Sequence, residues 1–164
     1  MESAMLQDIT QFIYREARLL DDRQFDDWLG LFDDDGLYIV PLVDQAQPGR
    51  QAAIVNDDRM AREERVYHLV NHWFPAQQPP SRTLHFVSNV VAGERGGLWS
   101  VSSSQLIHEI RGGDWTQVGL GEKNAIVARV DYLLRRADGG FRIHEKRVHL
   151  LDRAGWQGNL AFIY

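Results

Sequence analysis

No cysteine occurs among the 164 residues. That excludes disulfides, a thiolate nucleophile, a Cys-ligated zinc site and any iron–sulfur cluster held by this chain; a cluster serving this protein has to sit on another one. No run of about 18 uncharged apolar residues is present either, so nothing is expected to span a membrane. The first ten residues, Met1 to Thr10, lack a basic start followed by an apolar stretch, the mark of a secretory signal, and a cytoplasmic location is expected. Lysine is scarce: of 18 basic residues only Lys123 and Lys146 are not arginine. Arginine forks suit interfaces and buried carboxylate pairs, and genomic base composition produces the same bias. No acidic or basic block stands apart, and a net charge of −5 repels phosphate backbones, so no nucleic-acid partner is expected. There is no GxSxG, phosphate loop or dinucleotide fingerprint. Gly119 and Gly121 sit in strand-like text, where they read as a bend in a curved sheet.

With 44% hydrophobic residues and five Trp, the chain can fill one sizeable core, and residues 1–164 read as a single domain. Met5, Ile9, Phe12, Ile13, Ala17 and Leu20 follow helical spacing. Asp21 and Gln24 form a variant capping box that would start a second helix. Phe25, Trp28, Leu29 and Phe32 would form its buried face, and Asp33–Gly36 would stop it. Leu37–Val40, ending at Pro41, reads as a strand and 43–56 as an exposed loop. A third helix is expected from Asp57 to about Val70, with Met60, Glu64 and Tyr67 on one side. Phe74–Ser81 holds three prolines and cannot be regular.

From Arg82 onward the text changes to strands. Leu84–Ala92 and Leu98–Ile110 flank a hairpin loop at Gly93–Gly97. Trp115–Arg136 follows, then a turn at Ala137–Gly140, then Phe141–Asp152. In that last strand Phe141 and Ile143 are odd-numbered while Val148 and Leu150 are even, so a β-bulge is required near Glu145–Arg147. Helices first and a curved antiparallel meander second make an α+β plan, with the N-terminal helices closing one face of the sheet. The apolar C-terminus Leu160–Tyr164 should pack on the sheet or on a neighbouring subunit.

Candidates for chemistry are few. His68 and His72 share a helical face, but a metal there needs at least one more ligand, and Leu69-Val70-Asn71 between them hold no glutamate in the peptidase position. In His108-Glu109 and His144-Glu145 the neighbours point to opposite faces of a strand. A cone closed by helices can leave a cavity, and acid–base work there would fall to Asp34, Tyr38, His68, His85 and Glu145. No catalytic, cofactor-binding or metal-binding residue is assigned.

Beyond fold, the text resembles a known family. Phe12-Ile13-Tyr14-Arg15-Glu16-Ala17-Arg18-Leu19-Leu20-Asp21, then Phe25, Trp28, Leu31-Phe32 and Leu37-Tyr38-Ile39-Val40-Pro41, resembles the opening of small (beta) subunits of Rieske-type aromatic-ring-hydroxylating dioxygenases. Asp57-Asp58-Arg59-Met60 with Glu64-Arg65-Val66 is similar to their acidic-arginine helix. Pro79-Pro80-Ser81-Arg82-Thr83 with His85 and Ser88-Asn89-Val90 is the most distinctive stretch. Leu133–Arg136, Asp138–Ile143 and Lys146-Arg147-Val148 resemble the final hairpin; Gly119–Ala125 departs from the pattern. The resemblance implies a cone-shaped barrel of the ketosteroid-isomerase-like or cystatin-like type, and a non-catalytic structural subunit of an oxygenase of aromatic-compound catabolism. It implies assembly with a large subunit, commonly three large and three small chains. The large subunit would carry the Rieske 2Fe-2S cluster and the mononuclear iron, with electrons supplied by a reductase or ferredoxin. Subunit contacts are expected at Arg59, Arg65, Pro80, Ser81, Arg82 and His85. The alternative on the same fold is a stand-alone isomerase or dehydratase with a polar pocket.

Overall fold

A computed structural model describes residues 2–42, 52–71, 78–114, 116, 119–152 and 162–164. The first helix, α1 (Glu2–Asp21), buries the stripe that its spacing demands: Ile9, Phe12, Ile13, Ala17 and Leu20, with Glu16 buried among them. It ends at Arg23, whose φ of 56° is left-handed, while the Arg23 and Gln24 N–H groups donate back to Leu20 and Leu19 carbonyls. The expected capping box is not formed. Asp21 closes α1 instead of opening the next helix, and Gln24 makes no side-chain cap to α2 (Phe25–Leu29). The Asp21 carboxylate is drawn across to the sheet, where it meets three donors.

Phe32 is buried as expected, but on a strand. β1 (Phe32–Pro41) begins there, and Asp33–Gly36 form an irregular stretch inside it rather than a helix stop. Gly36 is required by close approach, since a Cβ there would lie 2.7 Å from the Ile143 carbonyl. β2 (Ala53–Asp57) pairs antiparallel with β1, so the end of the expected 43–56 loop is strand; residues 43–51 of it lie outside the described residues. The third helix, α3 (Arg59–Asn71), exposes Met60 and Tyr67 and buries Arg62 and Val66. Arg62 reaches the carbonyls of Gly36 and Asp57 and lies 4.2 Å over the Phe32 ring, so the inward face of α3 is centred on a cation that an apolar template overlooks.

The remaining strands are β3 (Arg82–Arg95), β4 (Leu98–Ile110), β5 (Lys123–Ala137) and β6 (Gly140–Leu150). The β3–β4 turn is tighter than Gly93–Gly97: Gly96 and Gly97, both at positive φ, make a two-residue turn whose twist suits the strands. β5 starts at Lys123, later than expected, because Gly119 and Gly121, at φ of 81° and 74°, belong to the preceding turn. The inferred bulge in β6 is present one residue early: Leu133 faces Glu145 and Leu134 faces Ile143, leaving His144 as the extra residue. From there on Lys146, Val148 and Leu150 point inward.

The sheet order is β2-β1-β6-β5-β4-β3. β1 lies parallel to β6 and every other pairing is antiparallel, so the sheet is mixed rather than wholly antiparallel, and it is curved but unclosed. The helices cover its inner face, with α1 against β3 and β6 and α3 against β1 and β2. The C-terminal residues Ile163 and Tyr164 are buried in this core, as expected for an apolar tail; Leu160 and Ala161 lie outside the described residues.

Candidate functional site

The place where this architecture could hold a substrate is the space between α1 and the inner sheet face. It is filled by a polar network built on Glu16 and Lys146. Glu16 projects from the apolar stripe of α1, and Lys146 projects inward because the bulge reverses the parity of β6. Their 2.7 Å ion pair is 1–2% exposed. Glu16 Oε1 also accepts the Trp28 indole N–H at 3.0 Å, and its Oε2 accepts the Tyr132 hydroxyl at 2.8 Å. Lys146 donates further to the Tyr164 backbone carbonyl at 2.7 Å, while the Tyr164 N–H donates to the Tyr38 hydroxyl at 3.1 Å. Gln105 Nε2 donates to Tyr132 Oη and Ser103 Oγ. Burial first, and then the Glu16 carboxylate, hold the Tyr132 phenol far above its ordinary value.

A general base needs an accessible lone pair within reach of a substrate proton. Both Glu16 oxygens are engaged, by three donors in all, and the C-terminal residues are tied into the same network. Chemically it is a brace rather than a free base. Its members Glu16, Lys146, Tyr132 and Gln105 are not among the candidates read from the sequence. Lys146 was signalled by the even parity it shares with Val148 and Leu150, and Glu16 by its position in the α1 stripe.

The pocket candidates do not converge. Two have buried side chains, Tyr38 and His85, the latter with its Nε2 unpartnered among the described residues. The Asp34 side chain is 95% exposed beside Arg59, His68 is on the outside of α3 near Glu64, and Glu145 pairs with Arg147. His85 forms a dyad with Asp21 at the end of α1: its ring Nδ1 is 2.6 Å from Asp21 Oδ1, its backbone N–H donates to Oδ2 at 2.9 Å, and Thr83 Oγ1 donates to Oδ1 at 2.9 Å. Burial alone would raise the Asp21 pKa, but the His85 and Thr83 hydrogen bonds leave it below its ordinary value. His72 lies outside the described residues. His108 is exposed, while its neighbour Glu109 is buried and accepts from Ser81 Oγ (2.7 Å) and Asn124 Nδ2 (2.8 Å).

Among the described residues, one group has the composition of a metal site: Asp33, Asp35 and His144, with ligand atoms within 4.8 Å of one another. The cation there is Arg135, whose Nη1 is 2.8 Å from Asp33 and 3.6 Å from Asp35, and whose Nη2 is 3.2 Å from His144 Nδ1. A guanidinium in the ligand sphere does not fit a metal, and iron–sulfur ligation lacks the thiolates it needs.

Of the expected contact residues, Arg59, Pro80 and Arg82 are exposed. Ser81 is turned inward to Glu109, and His85 to Asp21. Arg65 makes a two-pronged pair with Asp57 at 2.6 and 3.1 Å, and Arg59 pairs with Asp34 and Glu63 at 2.7 and 2.9 Å.

Comparison with known proteins gives this arrangement a context. The family model for the ring hydroxylating beta subunit matches residues 15–154. The chain is 34% identical over 147 residues to the small oxygenase component of a p-cumate 2,3-dioxygenase system from Pseudomonas putida, covering 87% of this chain and 77% of that one. It is 35% identical over 153 residues to the beta subunit of an N,N-dimethyl phenylurea N-demethylase from Sphingobium sp. (strain YBL2), covering 88% and 82%. Among solved structures, a chain of naphthalene 1,2-dioxygenase superposes with a TM-score of 0.82 at 20% identity, over 100% of this chain and 88% of that one. A putative scytalone dehydratase from Novosphingobium aromaticivorans superposes at 0.65 with 13% identity, over 91% and 85%, and shares the fold alone. The match over residues 15–154, with relatives above 30% identity along most of their length, establishes that the chain belongs to the ring-hydroxylating dioxygenase beta-subunit family.

Proposed function

We propose that the protein is the structural, non-catalytic small subunit of a Rieske-type non-haem iron oxygenase that hydroxylates an aromatic ring. The observation that carries this reading is the Glu16–Lys146 brace: where an isomerase or dehydratase on this fold needs an open polar pocket, Glu16 and Lys146 bind each other and the Trp28 and Tyr132 side chains around them. The catalytic work then belongs to a large subunit holding the Rieske cluster and the mononuclear iron, fed by a reductase or ferredoxin in the cytoplasm. Assembly is three large plus three small chains. The relatives' names span a ring dioxygenase and an N-demethylase, which fits a small subunit that does not choose the reaction.

Contact with the partner is made by Pro80 and Arg82. Ser81 and His85 hold that neighbourhood in place through their bonds to Glu109 and Asp21, while Arg59 and Arg65 tie α3 to Asp34, Glu63 and Asp57. Arg82 makes no ion pair among the described residues, and a partner carboxylate on its fork would be a charge-assisted bond. The test is co-purification with the cognate large subunit, sized in solution with iron measured. The complex should form and hold its iron, and the isolated chain should bind none in stoichiometric amount. Arg82→Ala should weaken assembly while leaving the isolated chain's melting temperature unchanged. About one iron per isolated chain, or a large subunit that never associates, would refute the reading.

A further inference from the structure

The Asp21–His85 dyad ends in a polar atom that nothing in the described chain answers. The Thr83 hydroxyl, the His85 backbone N–H and the His85 ring Nδ1 all converge on the Asp21 carboxylate, at 2.6 to 2.9 Å, so the imidazole is held in one orientation. An ionised carboxylate only accepts, so Nδ1 carries the ring proton, and in the neutral ring Nε2 keeps a lone pair. The His85 side chain is 1% exposed, and its Nε2 is closed to solvent with no hydrogen-bond partner among the described residues. A buried acceptor left bare in this way signals a partner from outside the chain.

The surroundings say what that partner is. His85 lines a groove of about 570 Å³ between α1 and β3, the outermost strand of the sheet. Tyr14, Leu84 and Phe86 form its apolar walls and are 44%, 54% and 53% exposed. Aromatic and aliphatic walls around one fixed polar group are the make-up of a small-molecule site. Asp21 is already engaged by three donors, which leaves Nε2 as the uncommitted acceptor of the dyad. One acceptor does not hold a water, which needs about two to four polar partners; a hydroxyl carried on an apolar body is held by the body. At the rim Asp21 and Asp22 outnumber Arg18, which disfavours an anion. Exposed side chains such as Tyr14 and Phe86 change rotamer freely, so the walls can turn aside to admit a ring to Nε2.

We propose that this groove binds small uncharged phenols, with the aromatic ring against Tyr14 and Phe86 and the hydroxyl donating to His85 Nε2. No bond is made or broken there; the site is one of recognition. It stands independently of the assembly reading, since every group involved belongs to this chain.

The experiment titrates phenol and toluene, which match in size and differ in the hydroxyl, into the full chain, and follows the imidazole nitrogen resonances of isotope-labelled protein. Phenol should bind about tenfold or more tighter than toluene, as one hydrogen bond to a buried acceptor provides, and should move the His85 Nε2 resonance. His85→Asn keeps an amide donor for Asp21 in the place of Nδ1 and removes Nε2. It should bind phenol as weakly as toluene and leave toluene binding unchanged. The nitrogen resonance is read on the wild type, so it decides alone should His85→Asn not fold. The proposal is overturned if phenol binds no tighter than toluene, if phenol leaves the Nε2 resonance in place, or if folded His85→Asn binds phenol like the wild type. It is equally overturned if Nε2 is already hydrogen-bonded in the free protein, because water or the chain itself then fills the position.

Discussion

The two faces of the sheet treat charge in opposite ways. On the inner face, Glu16 and Lys146 are 1–2% exposed and bonded to each other and to Trp28, Tyr132 and Tyr164. On the outer face Arg82, Lys123 and Arg129 stand exposed without ion-pair partners among the described residues, around an apolar row. In an enzyme pocket on this fold the pattern would be reversed, with uncommitted polar groups inside. The difference teaches that the buried charges of this chain are committed to one another, whereas these exposed cations are not committed within it.

The sharpest way to break the comparison is to remove one member of the inner pair. Lys146→Met leaves the Glu16 carboxylate buried without its counter-charge, which should cost about 3–5 kcal/mol in a urea unfolding curve of the isolated chain. Adding Glu16→Gln should recover a large part, because the orphaned charge is gone. A single variant with an unchanged midpoint would mean that the interior is open to water. Next in size is Arg62→Ala. It strips the Gly36 and Asp57 carbonyls of a buried donor and the Phe32 ring of its covering guanidinium, and should cost about 2–3 kcal/mol by the same measurement.

Much of this frame was legible in the sequence, and the exceptions have physical causes. Periodicity found α1, the long strands and the β6 bulge because an inward face cannot change parity without an extra residue. It misplaced Phe32 and Asp33–Gly36 because a short helix and an irregular strand end both bury an aromatic and both tolerate Asp and Gly. It did not reveal that β1 runs parallel to β6, since pairing between strands so far apart in the chain leaves no local pattern. The inner brace was hidden for a related reason: Glu16, Tyr132 and Lys146 meet only after folding. The Arg62 anchor was hidden because a charged side chain is presumed exposed.

A smaller effect tests the seam between the faces, where Asp21 at the end of α1 holds His85 and Thr83 on β3. The Asp21 pKa is lowered from its ordinary 3.8, so the folded state favours the ionised form. That contribution is fully present above the ordinary value and is lost as pH falls through the lower folded value. Wild type should therefore exceed Asp21→Asn in stability at neutral pH, and the gap should close as the solution is acidified through the carboxylate range. A gap that stayed constant with pH would show that the seam is held by shape rather than by the carboxylate charge.

The smallest effect is expected at Arg59. Its ion pairs with Asp34 and Glu63 have short distances, 2.7 and 2.9 Å, comparable to the buried Glu16–Lys146 contact, yet the side chains are 60%, 95% and 53% exposed. In water such pairs gain little, because solvent screens the attraction and ordering long side chains costs entropy. Arg59→Ala should leave the isolated chain's urea midpoint within experimental error, and added salt should not separate it from wild type. The contrast with Lys146→Met then depends on burial alone, since the two contacts match in length. Measured in the assembled oxygenase, the same substitution asks a second question. If Arg59 serves only its own helix, assembly is unaffected; if assembly weakens while the isolated chain is unchanged, the Asp34–Arg59–Glu63 cluster faces a partner, and the docking surface extends past β3 to α3.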